Sequence, residues 1–489
     1  MKILLLTVPA FNDIGHVTSG APPLSLLYLA SYLRKSGYED IKVVDTDASE
    51  IKWRELKELL KKENPDIIGV TGVSLIFPTI IKTVKLIKEQ LPNKKIIVGG
   101  FAATTESEKI LREAGGVIDF VVKGEGELTL LELVQKIEKG DEDFSNVKGI
   151  AFLDKNKEFV TTENREYIKN LDEIPWPAYD LLTKDPASYK GMPHDSKGMT
   201  RPVAVMMTTR GCPHRCAFCS LGSKMYRERS VKDVVDEMEF YKDEFGANSI
   251  QLYDDEFVGM SPKQNERIEA LCNEIIKRGL HKKLAFLVQG RCSQFVELKT
   301  LKKMREANII WIWWGVESGS QKILDFIHKD ITIENIKRTF ELTKKAGIMR
   351  LMYIMVGFPK ETKADINLTA KLIKETKPDQ TRIHIVSPYP GSELRKYLED
   401  HNLLENSDYY SFDTRRTVNH HTDEMTSDEI KRYSRMLIFR FENGYLYMFK
   451  FLIKSLFTID GWKNLLRRVK RALGYALLWK KLQKENGSV

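Results

Sequence analysis

Apolar residues fall into short, near-continuous runs at 3–6, 41–44, 67–72, 96–99 and 120–123. Between them, at 24–34, 53–62, 79–90, 106–113 and 128–137, apolar positions recur every three or four residues. The first pattern predicts strands buried on both faces and the second predicts amphipathic helices. Their alternation predicts a doubly wound, Rossmann-like α/β domain over residues 1–140, with its ligand site beyond the carboxyl ends of the strands. The rhythm lapses over 141–200. A hairpin is expected at 149–153 and 158–161, and the prolines of Ile174-Pro175-Trp176-Pro177 enforce extended chain. This stretch reads as a structured linker. Alternation resumes over 201–400, with strands expected at 203–208, 249–252, 285–288, 309–315, 351–356 and 382–386. Six strand–helix units predict a partial (β/α)6 barrel of TIM type. Residues 401–489 predict a mostly helical ending.

A chain of 489 residues, 42% hydrophobic and 30% charged, is neither fibrous nor wholly disordered. Five cysteines argue against a disulfide-stapled scaffold and for a reducing, cytoplasmic compartment. The first apolar run stops at Pro9, too short for a signal peptide, and no apolar run is long enough to predict a membrane span. The charge is uneven. Over 450–489, ten Lys and Arg face only Asp460 and Glu485, so +8 of the net +9 lies there. Within 460–484, Val469, Leu473 and Leu477 share one helical face, with Trp462 and Trp479 near the ends. Such a helix can lie on an anionic membrane surface, here the inner face; a helix packed on the barrel with a solvated basic side is the alternative. No second basic patch supports nucleic-acid binding.

The chemistry gathers after the first strand of the second half, in Thr209-Arg210-Gly211-Cys212-Pro213-His214-Arg215-Cys216-Ala217-Phe218-Cys219. Three thiols on one loop suit an Fe–S cluster, and three ligands on a four-iron cubane leave one iron open to a substrate. Zinc, with His214 as fourth ligand, and a Cys216/Cys219 redox pair are the alternatives; the second leaves Cys212 idle. Cys272 lies in an apolar helical pattern and reads as core. No cysteine precedes Cys212 or follows Cys292, so the thiols support one cluster.

The C-x3-C-x-aromatic-C pattern, with Phe218 as the aromatic, resembles the signature of the radical S-adenosylmethionine (SAM) enzymes. The resemblance implies a 4Fe–4S cluster on Cys212, Cys216 and Cys219 that chelates SAM. Further motifs follow at successive strand ends. Asp255, in Tyr253-Asp254-Asp255-Glu256, is implied near the SAM amino group, and Arg291 opposite its carboxylate. Glu317 and Ser318, in Gly315-Val316-Glu317-Ser318-Gly319, are implied to face SAM. Gly357 and Pro359 are implied to pass beside its adenine. Pro388-Tyr389-Pro390-Gly391-Ser392 is similar to a turn of one branch of the family. Read alone, Asp254 and Asp255 could be a solvated helix cap, and Glu317 could be a structural acid bonded to Ser318 or Ser320.

The first domain resembles the cobalamin-binding domains of that branch in Pro22-Pro23-Leu24-Ser25-Leu26-Leu27-Tyr28, Val98-Gly99-Gly100-Phe101 and Gly124-Glu125-Gly126-Glu127. Thr71, Ser74, Gly99, Gly100, Gly124 and Glu125 are the implied cobalamin contacts. Glycines there let a flat macrocycle approach the backbone, although glycines that merely serve turns would look the same. Domains that ligate cobalt through histidine carry D-x-H-x-x-G after the first strand. Here Ala10 and Asn12 stand at the Asp and His positions and only Gly15 matches, so the implied cobalamin is base-off and His-off, with Asn12 below it.

The branch contains anaerobic magnesium-protoporphyrin monomethyl ester cyclase, hopanoid methylases and class B methyltransferases. The implied function is generation of a 5′-deoxyadenosyl radical and modification of an unactivated carbon, by methyl transfer or, alternatively, by radical cyclisation or oxidative rearrangement. A non-catalytic cobalamin sensor is a further alternative, which has no need of an open iron. The expected partners are a small, hydrophobic substrate and a flavodoxin- or ferredoxin-type electron donor. No catalytic side chain for the final proton or hydrogen transfer is legible.

Overall fold

A computed structural model describes residues 1–10, 20–185, 189, 197–220, 225–407, 414–415 and 417–442. Asn12 and the basic segment 460–484 lie outside the described residues. The chain forms two compact units. One comprises Met1–Pro213, Lys224–Asp255 and Glu274–Phe286; the other comprises His214–Ser223, Glu256–Asn273 and Leu287–Val489.

The first unit is built on a seven-stranded sheet. Its strands are β1 (Ile3–Thr7), β2 (Ile41–Val44), β3 (Ile67–Thr71), β4 (Lys95–Gly99), β5 (Phe120–Val122), β6 (Ile150–Leu153) and β7 (Phe159–Thr161), in the order β2-β1-β3-β4-β5-β6-β7. The first five run parallel. Ile3, Leu4, Leu5, Leu6, Ile67 and Ile68 are fully buried, as continuous apolar runs require of strands covered on both faces. Helix Leu24–Lys35 buries Leu26, Leu27, Ala30 and Leu33, a single stripe, and places Arg34 and Lys35 at its negative end. The hairpin read as linker joins this sheet, because β6 pairs antiparallel with β5.

Two short strands, β8 (Val203–Met206) and β9 (Thr209–Arg210), lead into the cysteine loop. The chain returns from it through β10 (Arg227–Glu228), which pairs antiparallel with β9. Strands β11 (Ser249–Leu252), β12 (Ala285–Arg291), β13 (Ile309–Glu317), β14 (Met349–Val356) and β15 (Gln380–Ile385) follow. Of these strands β8 and β11 lie in the first unit, and β13, β14 and β15 lie in the second. In the first unit β11 runs parallel to β8; in the second β13, β14 and β15 run parallel. All six expected strands of this half are therefore present. Among the described residues no helix is long and apolar enough to cross a membrane.

Candidate active site

In the second unit the cysteine loop is fixed by its backbone. Ala217 N–H donates to Ile327 O at 2.9 Å, and Ala217 O accepts from Leu394 N–H at 2.8 Å. The Phe218 ring lies 6.3 Å from that of Phe358. His214 Nε2 meets the buried Glu256 carboxylate at 2.8 Å. The acids after β11 take separate tasks. Asp254, fully buried, accepts from the backbone N–H groups of Thr208 and Thr209 and from the Thr208 hydroxyl, at 2.6–2.8 Å. Asp255 is exposed.

Arg291 is buried, with Nη1 3.8 Å from Cys216 Sγ. Its Nη2 makes no hydrogen bond among the described residues and lies 4.0 Å from Asp330. A buried guanidinium with an unused donor is costly unless a ligand completes it, which suits a carboxylate brought by SAM. Gly259 lets the chain pass: at its φ of +109° a Cβ would fall 2.1 Å from Arg291 O.

Glu317 ends β13 in the left-handed region, φ +69°, just past an irregularity in the pairing with β14. Non-glycine residues hold that conformation only where their surroundings impose it. The imposing partner is Lys329, whose Nζ donates to Glu317 Oε1 at 2.9 Å with both side chains buried. Burial alone would lower the Lys329 pKa, but Glu317 and the Cys216 thiol outweigh it and hold the ammonium above its ordinary value. Gly315 makes room, since a Cβ there would come within 2.9 Å of Glu317 Oε1 and 3.0 Å of Lys329 Nζ. Ser318 and Gly319 lock β13 onto helix Lys363–Thr376: Gly319 N–H donates to Thr369 Oγ1 at 2.9 Å, and Ser318 Oγ lies 3.5 Å from that hydroxyl.

Gly357, at φ +99°, turns the chain after β14. Its N–H donates to Glu361 Oε2 at 2.6 Å and its carbonyl accepts from His420 Nε2 at 2.5 Å. Pro359 O accepts from Asp423 N–H at 3.0 Å. Burial pushes the Glu361 carboxyl up to about 8 and holds His420 below its ordinary value. Lys329, Glu361, His420 and the His214–Glu256 pair escape sequence reading. Lys329 alone leaves a trace, as a charge between Ile327 and Ile331.

On one face of the second unit's strands, register pairs Trp313 with Leu351, Tyr353 with Arg382 and Met355 with His384. The Trp313 and Tyr353 rings lie 5.9 Å apart, as do those of Tyr353 and His384. His384 Nδ1 contacts Thr414 Oγ1 at 2.9 Å; burial and Arg415 lower its pKa and favour neutral imidazole. Its Nε2 has no hydrogen bond among the described residues.

The first unit holds the other expected contacts at the carboxyl ends of β3 and β4. Ser74 is buried, whereas Val73 and Phe101 are exposed, 42% and 47%. Gly100 is required by the fold: φ is +95°, and a Cβ would sit 2.7 Å from Thr71 Oγ1 and 2.9 Å from Gly72 O. Gly99 is not, because the nearest atom to a Cβ is Val122 O at 4.0 Å. A glycine that packing does not demand, beside exposed apolar side chains, leaves space for a flat ligand, so these residues fit cobalamin. Thr104 Oγ1 donates to Gly100 O and accepts from Gly124 N–H, both at 3.0 Å. Glu125 is bound to arginines.

None of the five cysteines forms a disulfide, and among the described residues no three His, Cys, Asp or Glu side chains are gathered as a metal cage. The donor set nevertheless suits the cluster, with three thiols on one loop and the Arg291 guanidinium 3.8 Å from Cys216 Sγ.

Comparison with known proteins agrees. The radical SAM superfamily matches residues 206–373 and the B12 binding domain matches 13–134. An uncharacterised methyltransferase of Pyrococcus horikoshii is 33% identical over 97% of this chain and 98% of its own length. The chain belongs to the cobalamin-binding radical SAM enzymes. The anaerobic magnesium-protoporphyrin IX monomethyl ester cyclase of Rubrivivax gelatinosus is 29% identical, over 85% of this radical SAM enzyme and 73% of that protein. The fold matches that of the cobalamin-dependent SAM radical enzyme OxsB, solved with aqua-cobalamin and SAM bound, at a TM-score of 0.73 and 19% identity over 98% of this chain and 72% of that one.

Proposed function

We propose that this radical SAM enzyme transfers a methyl group to an unactivated carbon of a small substrate with an apolar, ring-containing body. The observation that carries methyl transfer is the end-to-end likeness to the Pyrococcus methyltransferase. When bound, the cluster and cobalamin supply reductive cleavage of SAM and a methyl group. The protein's own part is orientation and exclusion of water. Arg291 takes the SAM carboxylate, the Glu317–Lys329 pair fixes the strand end beside it, and the Gly357 turn borders the adenine. Trp313, Tyr353 and Met355 give the substrate an apolar wall, and His384 Nε2 offers one hydrogen bond to a polar group on it.

Three further parts of the reading rest on sequence. Asn12 is a weak cobalt ligand beside an imidazole, so cobalamin is base-off and His-off. A flavodoxin- or ferredoxin-type protein delivers the reducing electron. Segment 460–484 meets an anionic membrane surface, and nucleic acid is not a partner.

Cyclisation is the second reading, favoured by the likeness to the protoporphyrin ester cyclase. Products of SAM separate the two. The anaerobically reconstituted holoenzyme, given SAM and a low-potential reductant, is expected to form both 5′-deoxyadenosine and S-adenosylhomocysteine. 5′-Deoxyadenosine without S-adenosylhomocysteine would overturn methyl transfer and favour cyclisation.

A further inference from the structure

The two short strands that bracket the cysteine loop create an electrostatic problem. The pairing of β10 with β9 sets Arg227 directly opposite Arg210. Both side chains are largely buried, at 5% and 12% exposure. Opposed like charges destabilise an antiparallel pair, and burial deprives them of screening by water. Everything between these two residues is the segment that carries Cys212, Cys216 and Cys219.

The solution comes from Gly124-Glu125-Gly126-Glu127. Glu125 takes Arg227 in a two-pronged contact: Nη1 donates to Oε2 at 3.1 Å and Nη2 donates to Oε1. The same carboxylate reaches Arg210 Nη1 at 3.4 Å. Glu127 completes the set, with Oε1 2.7 Å from Arg210 Nη2. Two cations thus meet two anions. The guanidinium planes are backed by aromatic rings, Arg210 over Tyr28 and Arg227 over Tyr167, each at 4.8 Å. Arg227 Nη1 also donates to Ile168 O at 2.7 Å. Gly124 enters this turn at φ +73°, and its N–H is bonded to Thr104 Oγ1, whose hydroxyl is bonded to Gly100 O. The clasp on the cysteine loop and the glycine turn at the end of β4 are therefore two hydrogen bonds apart.

We propose that Glu125 is a positioning residue for the Fe–S loop: its carboxylate joins the two stems of that loop and ties them to the strand-end turns of the cobalamin domain. The sequence motif places Glu125 among the cobalamin contacts, whereas its side chain is committed to two arginines. The proposal rests on the radical SAM class of the chain and not on methyl transfer, so it stands whichever carbon chemistry the enzyme performs.

The test uses the full chain, first without cofactors. Hydrogen–deuterium exchange is followed over 211–220 in Glu125→Gln, Arg227→Gln and the double variant. Each single change leaves the buried set of two cations and two anions one charge out of balance, so exchange there is expected to rise roughly ten- to a hundredfold. The double variant is expected to add little, because both changes break one interaction. Far-ultraviolet circular dichroism checks the folding of each variant, and hydroxocobalamin binding, titrated by its absorbance, separates a defect of the loop from a lost cobalamin contact. After reconstitution, Glu125→Gln is expected to hold less iron and sulfide and lose its cluster absorbance faster in air. Unchanged exchange at 211–220, additive effects of the two substitutions, or weakened cobalamin binding without a change in the loop would each overturn the proposal.

Discussion

Glu361 shows what single residues contribute beyond the motifs. Its carboxyl group is buried beneath the Gly357 turn and is pushed up to about 8, whereas its ordinary value is 4.5. Burial is the main cause, the nearby Asp365 adds to it, and the Gly357 N–H opposes it. The folded enzyme thus keeps this proton through a range in which the unfolded chain releases it. Stability must fall as pH rises from about 4.5 to about 8. Glu361→Gln keeps an acceptor for the Gly357 N–H and removes the titration. The variant is expected to match the wild type near pH 4.5 and to exceed it by ~4 kcal/mol at pH 8. Thermal unfolding across that range checks it, and parallel pH profiles would refute it. Nothing in the sequence marks Glu361 as buried, because part of its surroundings comes from far along the chain, where the Thr422 hydroxyl donates to the Glu361 carbonyl. The same holds for Lys329 on Glu317 and for Glu256 on His214. The motifs announce which residues end strands; they do not announce the buried counter-charges that hold them.

At the scale of elements the sequence is far more legible. Continuous apolar runs such as Leu4-Leu5-Leu6 and Ile67-Ile68 can only be strands buried on both faces, and three-to-four spacing fixes the helices. What periodicity cannot show is which neighbour an edge strand chooses. β6 and β7 read as linker because their pairing with β5 is a long-range choice that leaves no local trace. Adjacent glycines are also alike in sequence and unlike in structure. Gly100 is held at φ +95° with no room for a Cβ, whereas Gly99 has room. Gly100→Ala should therefore destabilise the domain, by about 1–3 kcal/mol, through backbone strain and a clash with Thr71 and Gly72. Gly99→Ala should leave thermal unfolding nearly unchanged and weaken cobalamin binding, since the added methyl group occupies the space left for the ligand. Equal cobalamin affinity in Gly99→Ala and wild type would show that the macrocycle approaches elsewhere.

At the scale of the whole molecule, the informative feature is where charge sits. Without its last forty residues the chain is nearly neutral, and the excess of +8 is compressed into a segment whose apolar positions share a helical face. A basic residue near an anionic bilayer contributes about 1 kcal/mol, and this attraction fades within a Debye length of about 8 Å at physiological salt. Arg467, Arg468, Lys470 and Arg471 are four such residues in five positions. Replacing all four with Gln in the full chain is expected to weaken binding to phosphatidylglycerol-containing vesicles by roughly a hundredfold or more, while binding to neutral phosphatidylcholine vesicles stays weak in both proteins. High salt should reproduce the loss in the wild type. A sedimentation assay in which the variant and the wild type bind anionic vesicles equally, or in which salt has no effect, would refute membrane contact and leave the segment as a helix packed on the protein with a solvated basic side.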